Sequence, residues 1–173
     1  MPFNSKVHFN PENATKGINI ISPASGQVIP LTDEKDGFVI SQLGQGIAIK
    51  LSAQQIISPI KGKVIEWQPT LGKVIIQTQN KLRFLMQLPF SFNQHHGLGI
   101  KPHFVEGQNI LKGSALLTLD LYQLQQIDKD ICLFFILIDD KPFQSINIPH
   151  KYVNAGEDII FSLIPKSVKT TKK

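Results

Sequence analysis

Short apolar runs that alternate with polar residues, separated by turns, make up most of this chain. The clearest alternation is residues 81–88, where one face carries Leu82, Phe84, Met86 and Leu88 and the other carries Lys81, Arg83, Leu85 and Gln87. A period of two residues is typical of a β-strand. Similar runs predict further strands at 18–21, 26–31, 47–49, 64–67, 73–78 and 158–164.

Two segments depart from this alternation. Residues 131–138 are continuously apolar, which is typical of a strand buried on both faces. Residues 120–127 have the apolar spacing of a short helix, with Asp120 placed to cap its N-terminus. Many short strands with one short helix predict a β-sandwich or a barrel.

Two pairs of glycine-containing turns recur along the chain. The segment 22–28 is repeated at 58–64, with Ser-Pro and a later Gly in the same places, and the segment 105–110 is echoed at 153–159. In each segment a glycine, which adopts positive φ at little cost, sits between apolar residues that can enter strands. Two matched pairs in one short chain predict a duplicated all-β unit.

Composition limits the class of protein. At 173 residues, 42% of them hydrophobic and 18% charged, the chain is expected to form one domain with its own core. No apolar run approaches the roughly 20 residues of a membrane-spanning helix, and residues 1–16 lack the apolar core of a signal peptide. The single cysteine, Cys132, lies in an apolar run and is expected to be a buried hydrophobe. These features predict a cytoplasmic protein without stable membrane insertion.

The net charge of +5 is concentrated near the C-terminal end, at Lys166, Lys169, Lys172 and Lys173. Basic residues interleaved with exposed aromatic ones, the pattern of a nucleic-acid-binding surface, are absent, so no nucleic-acid partner is expected. We predict a flexible polar segment at 1–16, a β-sandwich domain at 17–166 and a solvated basic tail at 167–173.

Six motifs follow one another over almost the whole domain, at 21–28, 44–50, 58–64, 105–108, 111–113 and 153–164. In order and spacing they resemble the glucose-type enzyme IIA family, the phosphocarriers of the bacterial phosphoenolpyruvate:sugar phosphotransferase system. The resemblance implies an antiparallel β-sandwich built on a duplicated hybrid motif, with one or more short helices. That fold agrees with the repeats.

The resemblance also implies a chemistry that rests on two histidines. One accepts a phosphoryl group from the carrier HPr and passes it to a sugar permease, while the other stabilises the phosphorylated form. An ungapped count places Gly72 at the supporting position and Gln87 at the phospho-accepting position. Pro89 and Ser91 stand where the family has a glycine and an acidic residue. Because an amide is not a phosphoryl acceptor, no catalytic residue is predicted at the family site.

Members of the family dock protein partners on an apolar surface around the histidines. The matching positions here, beside Gln87, are Phe38, Val39, Leu43, Thr70, Ile75 and Leu85. Ile75 and Leu85 fall on the strand faces opposite their core-type neighbours, so both are expected to point outward. The pattern fits either a retained docking patch or scattered surface hydrophobes.

Other side chains offer weaker alternatives. His95, His96 and His103 form a candidate metal set, but no carboxylate or cysteine completes a motif, and the histidine signatures of the lysostaphin-type metallopeptidases are absent. Lys61 and Lys63 flank a turn glycine without the Met-Lys-Met or Asp-Lys-Ala sequence of the biotinyl and lipoyl carrier domains. Neither a metal nor a cofactor is expected.

Three functions follow from these observations. The first is a phosphorylation-dead, IIA-like regulatory protein that binds protein partners: HPr, a sugar permease IIB domain or a regulated enzyme. The second is an active phosphocarrier that uses a displaced histidine, His95 or His96. The third is a metal-binding domain built on these two histidines and His103. The chain is expected to be a monomer.

Overall fold

Strands account for most of the regular secondary structure in the computed structural model, which describes residues 5–9 and 16–167. In chain order they are β1 Val7–His8, β2 Ile18–Ile21, β3 Gly26–Pro30, β4 Gln45–Leu51, β5 Gln55–Ile57, β6 Gly62–Gln68, β7 Lys73–Gln77, β8 Arg83–Gln87, β9 Ile100–Pro102, β10 Asn109–Ile110, β11 Ala115–Leu119, β12 Cys132–Leu137, β13 Phe143–Asn147, β14 Tyr152–Val153 and β15 Ile159–Pro165. Between them lie two short α-helices, α1 Gly37–Ser41 and α2 Leu121–Gln125, and 3-10 helices at Leu31–Asp33, Pro69–Leu71 and Phe90–His95.

The strands of this described part form three sheets. The largest has the order β10-β6-β7-β8-β12-β4-β3-β14, the second β1-β13-β15-β2 and the third β5-β11-β9. Their pairings are antiparallel apart from the parallel pair of β1 with β13. The prediction of an all-β, mainly antiparallel sandwich with short helices is confirmed.

A stack of three phenylalanines joins the two larger sheets. The ring of Phe135 on β12 lies 4.8 Å from that of Phe161 on β15 and 5.8 Å from that of Phe84 on β8, measured between centroids. All three are fully buried in the main core. A smaller apolar cluster covers the other face of the large sheet, with Ile29, Leu31, Ile40, Ala48, Ile75, Leu85, Cys132, Phe134 and Ile136. Strand β12 is buried on both faces, as predicted.

The sequence duplication is visible in the hydrogen bonds of the two Ser-Pro turns. Ser22 and Ser58 are both fully buried, and each hydroxyl donates to the carbonyl two residues later at 2.6 Å. The carbonyl of Ser22 accepts from the Gly156 N–H at 2.9 Å, and that of Ser58 accepts from the Gly113 N–H at 2.8 Å. Gly113 is therefore the structural counterpart of Gly156. The repeat predicted from the sequence instead aligned 105–110 with 153–159, which would make Gly107 the counterpart of Gly156. That alignment is wrong.

The chain termini and the helices refine the predicted boundaries. Strand β1 falls within the stretch predicted to be flexible, and its Val7 pairs with Ile146 of β13. The rest of that stretch, at 1–4 and 10–15, lies outside the described residues, as does most of the predicted basic tail, at 168–173. The predicted helix is confirmed at α2, where the Asp120 carboxylate accepts from the Gln123 N–H at 3.1 Å. No helix of the described residues is long and apolar enough to cross a membrane.

Candidate functional site

Gly72, just before β7, and Gln87, the last residue of β8, lie at the same end of this strand pair, in the middle of the large sheet. The Leu88 N–H donates to the Leu71 carbonyl at 3.0 Å, which joins the residue after Gln87 to the residue before Gly72. Two positions 15 residues apart in the sequence are thus neighbours in the fold.

Gly72 ends the 3-10 helix Pro69–Leu71 in a left-handed conformation, with φ of 57°. Its N–H donates to the Pro69 carbonyl at 3.2 Å. A Cβ added here would meet Ile100 and Leu88 at 3.6 Å, which is ordinary van der Waals contact. The site has room for a side chain at this position, but glycine supplies no group that could support a phosphorylated neighbour.

Gln87 is the last residue of β8 and is 2% exposed. It stands opposite Phe134 of the neighbouring strand β12. Its Nε2 group is buried and has no hydrogen-bond acceptor among the described residues. Gln87 therefore presents a buried amide donor, which is neither nucleophilic nor accessible.

The residue after Gly72 is a lysine whose charge is already paired. The ammonium of Lys73 forms an ion pair with Glu66 on the adjacent strand β6, with Nζ and Oε1 2.9 Å apart. The carboxylate of Glu66 thus compensates the charge of Lys73, so Lys73 does not offer an unengaged cation to an incoming phosphoryl group.

Polar contacts tie the loops around this end of the sheet. The Phe90 N–H donates to the Asp36 carboxylate at 2.9 Å, just before α1. The Thr70 hydroxyl donates to Asn93 Oδ1 at 2.8 Å, which links the two 3-10 helices that flank β7 and β8. Pro89 immediately precedes the second of these helices and contributes no N–H. The segments on either side of Gln87 are therefore held to one another and to the start of α1.

Cys132 is fully buried in the smaller cluster, which confirms its interpretation as a buried hydrophobe. Burial raises the pKa of its thiol far above the ordinary value, and the nearby Glu34 carboxylate adds to the shift. Burial likewise raises the pKa of Glu34, against a lowering by its hydrogen bond with Cys132. Because the thiolate is the reactive form, Cys132 is not a nucleophile of this site.

The predicted docking residues divide into an exposed set and a buried set. Phe38, Val39 and Leu43, on and after α1, are 66%, 55% and 45% exposed. Thr70 is half-buried. We call these four residues, together with Phe90 and Leu98 described below, the α1 surface.

Ile75 and Leu85 were expected to point outward, and this expectation is wrong. Both lie on the strand face opposite the main core, as the alternation predicts, but they are 7% and 0% exposed. Leu31 and Ile40, from the segment that leads into and forms α1, belong to the same buried cluster. Ile75, Leu85 and Gln87 thus lie beneath other residues and are not part of an exposed patch.

Two exposed apolar residues were missed by the sequence reasoning. Phe90 is 38% exposed and Leu98 is 55% exposed, and both follow β8. The hydrogen bond of Phe90 to Asp36 places it next to α1. Their signal was an apolar residue at each end of the segment that carries His95 and His96, whose third large apolar residue, Phe92, is buried.

The three histidines do not come together as a metal set. His95 and His96 are exposed at the end of the 3-10 helix Phe90–His95, whereas His103 contacts Thr118 of β11, with its Nε2 2.6 Å from the hydroxyl. Within residues 5–9 and 16–167, no group of three or more His, Cys, Asp or Glu side chains is placed to hold a metal ion.

Comparison with known proteins places the chain among sugar phosphotransferase components. A glucose-specific EIIA component of Oceanobacillus iheyensis is 26% identical over 155 residues, covering 88% of this chain and 94% of that protein. A glucose-specific EIIA component of Staphylococcus epidermidis is 27% identical over 144 residues, covering 83% and 87%. A beta-glucoside-specific EIIBCA component of Halalkalibacterium halodurans is 29% identical over 143 residues, which cover 82% of this chain but 22% of that longer protein.

The fold is likewise shared with a solved structure. Glucose permease IIA from Mycoplasma capricolum superposes with a TM-score of 0.73 at 23% identity, covering 85% of this chain and 96% of that one. The sequence profile described as phosphoenolpyruvate-dependent sugar phosphotransferase system, EIIA 1, matches residues 18–143. This match confirms the resemblance given by the motif order: the chain belongs to the EIIA 1 family of the phosphoenolpyruvate-dependent sugar phosphotransferase system.

Proposed function

We propose that this member of the family carries no phosphoryl group and acts as a regulatory module that binds other proteins. The observation that carries the proposal is the buried amide of Gln87 at the phospho-accepting position. A phosphoryl acceptor needs a nucleophilic lone pair with a clear line of approach, and a carboxamide nitrogen has neither its lone pair free nor, here, any exposed surface. Gly72 removes the supporting side chain as well.

The α1 surface supports a binding role, because Phe38, Val39 and Leu43 keep large apolar areas exposed on one short segment. Apolar side chains held on a tied loop are suited to a protein interface. The partners we propose are HPr, the IIB domain of a sugar permease or a regulated enzyme, met by a monomer in the cytoplasm.

The proposal is tested by phosphoryl transfer. The purified protein would be incubated with enzyme I, HPr and phosphoenolpyruvate that carries a labelled phosphoryl group, beside the Staphylococcus epidermidis glucose-specific EIIA component as a comparison. We expect the comparison protein to retain label and this protein to retain none. Label that is stable to alkali but lost in acid would identify a phosphohistidine and contradict the proposal.

An active phosphocarrier is the second candidate, favoured by the exposure of His95 and His96 at the end of the 3-10 helix that follows β8. If label is retained, His95→Ala and His96→Ala together should abolish it under this alternative. His150→Ala is the matched control, since His150 is also exposed but lies just before β14. Label that survives the double substitution would exclude the displaced-histidine mechanism.

Binding by the α1 surface gives a separate prediction. Phe38→Ala should weaken binding to the cognate partner by about tenfold, because a truncated apolar anchor typically costs more than about 1 kcal/mol. Tyr152→Ala is the matched control, as Tyr152 is equally exposed at 66% but lies on the edge strand β14. Titrations with unphosphorylated HPr and with a IIB domain would be followed by calorimetry. Equal losses in the two variants, or no binding to either protein, would count against this surface.

A further inference from the structure

A cavity of about 620 Å³ opens at the end of β7 opposite to Gly72. It is formed by the turn at 61–63, the hairpin at 77–81 and the segment 109–111. Its volume lies within the roughly 300–1,000 Å³ that small-molecule sites occupy in proteins. The family site does not extend to this end of the strand, so any ligand here would be bound independently of Gln87.

The lining of the cavity is basic without compensating acids. Lys61, Lys63 and Lys81 contribute three ammonium groups, and none of the described residues that line the cavity carries a carboxylate. None of these lysines forms an ion pair with a described residue, in contrast to Lys73. The remaining polar lining is rich in amides and hydroxyls: Gln77, Thr78, Gln79, Asn80 and Asn109.

Strand register places Lys63 at the centre of this lining. It pairs with Asn109 of β10 on one side and with Gln77 of β7 on the other, so the three side chains share one face of the sheet. On the next strand, β8, Arg83 pairs with Gln77. Its guanidinium donates to the Asp139 carboxylate from Nε at 3.0 Å and from Nη2 at 2.9 Å. Arg83 is thus already neutralised, and Lys63 remains the uncompensated cation between two amide-bearing neighbours.

The hairpin that carries Lys81 is closed by its own hydrogen bonds. The Lys81 N–H donates to the Thr78 carbonyl at 3.0 Å, and the Thr78 hydroxyl oxygen accepts from the Leu82 N–H at 3.1 Å. Lys81 itself takes a left-handed conformation with φ of 68°. A turn fixed in this way positions the backbone of Lys81 across the cavity from the 61–63 turn, which lowers the ordering cost of binding a ligand between them.

We propose that this cavity binds a phosphate ester of a hydroxylated small molecule. Ammonium groups form charge-assisted hydrogen bonds with phosphate oxygens, while the amides and the Thr78 hydroxyl can exchange hydrogen bonds with the hydroxyl groups of the ligand. The concave shape and the amide lining favour a small molecule over a flat anionic membrane surface, for which lysines alone would suffice.

The test uses glucose 6-phosphate as the probe, with glucose and inorganic phosphate as partial ligands, in amide-resolved NMR titrations of the full chain. Saturable shifts at 61–63, 77–81 and 109–111, with tighter binding of glucose 6-phosphate than of either partial ligand, would support the site. Lys63→Gln should weaken binding by about tenfold, the loss expected for one charge-assisted hydrogen bond. Lys101→Gln is the matched control, since Lys101 is an exposed strand lysine outside the cavity lining and should leave binding unchanged.

Three outcomes would overturn the proposal. One is the absence of shifts with glucose 6-phosphate up to about 10 mM, the weak end of specific small-ligand binding. Another is an equal loss in Lys63→Gln and Lys101→Gln, which would indicate only nonspecific charge attraction. The third is Lys63-dependent binding to vesicles of phosphatidylcholine and phosphatidylglycerol without binding of glucose 6-phosphate, which would assign the lysines to a lipid surface. Each outcome is independent of whether the protein carries phosphate.

Discussion

Gln87→Met is expected to raise the free energy of unfolding by about 1–3 kcal/mol, although most substitutions in a packed core lower it. The reason is the Nε2 group of Gln87, which is buried and has no acceptor among the described residues. A buried donor without a partner loses its hydration and gains nothing in return. Methionine has a similar length and flexibility and carries no donor, so it should fill the same space beside Phe134.

The measurement is urea unfolding at equilibrium. If the slope of the transition is the same in the variant and the unsubstituted protein, a shift of the midpoint reports a change in stability alone. Gln27→Met is the matched control, because Gln27 is a half-buried strand glutamine and its replacement should change stability by less than about 0.5 kcal/mol. A loss of stability in Gln87→Met would show that the amide is satisfied in solution, and the description of the site as an unpaired donor would then be wrong.

A stabilising Gln87→Met would also bear on function. It would show that the buried amide of Gln87 costs stability and does not help hold the sheet together. Together with an absence of phosphoryl label, this result would show that the chain keeps the scaffold of the family without its phosphoryl-transfer chemistry. The strands around Gln87 would form equally well without any polar group at this position.

Much of the fold could be predicted from local pattern because each signal had a local cause. The unbroken apolar run around Phe135 can be satisfied only by a strand covered on both faces, and β12 is such a strand. Asp120 caps α2 through a bond to a residue three positions away. The Ser-Pro turns repeat because Ser22 and Ser58 make the same short-range hydroxyl bond.

Features that depend on distant contacts were not predicted. Helix α1 is only five residues long and includes Phe38, Val39 and Ile40, types that favour strands, so its apolar contacts rather than propensity decide its conformation. Ile40 packs into the cluster over Ile75 and Leu85. The period of two along β7 and β8 indicates which face a residue occupies, but it carries no information on whether another segment covers that face.

The repeat of the second pair of turns was misaligned for a related reason. Gly107 and Gly156 both have positive φ and similar flanking residues, so the sequence treats them as equivalent. The structure instead pairs Gly156 with Ser22 and Gly113 with Ser58. Two glycines with positive φ can therefore have different partners: the Gly156 N–H donates to the carbonyl of Ser22 in a Ser-Pro turn, whereas the Gly107 N–H donates to the carbonyl of Val64 in β6.

Gly26→Ala is expected to destabilise the protein by about 3–5 kcal/mol, whereas Gly107→Ala should cost only about 1–2 kcal/mol. Both glycines have positive φ, 152° and 90°, so both variants incur a backbone penalty. The difference lies in the space around them. A Cβ on Gly26 would stand 1.9 Å from the Lys50 carbonyl oxygen, while a Cβ on Gly107 would meet nothing within 4 Å.

The clash at Gly26 involves backbone on both sides, so no side-chain rotation can relieve it, and β3 must move away from β4 where Gly26 pairs with Leu51. Urea unfolding of the two variants, measured side by side, isolates this steric contribution from the shared backbone penalty. A difference below about 1 kcal/mol would mean that β3 and β4 separate at little cost. The requirement for glycine at position 26 would then come from its positive φ alone, and not from the close approach of β3 and β4.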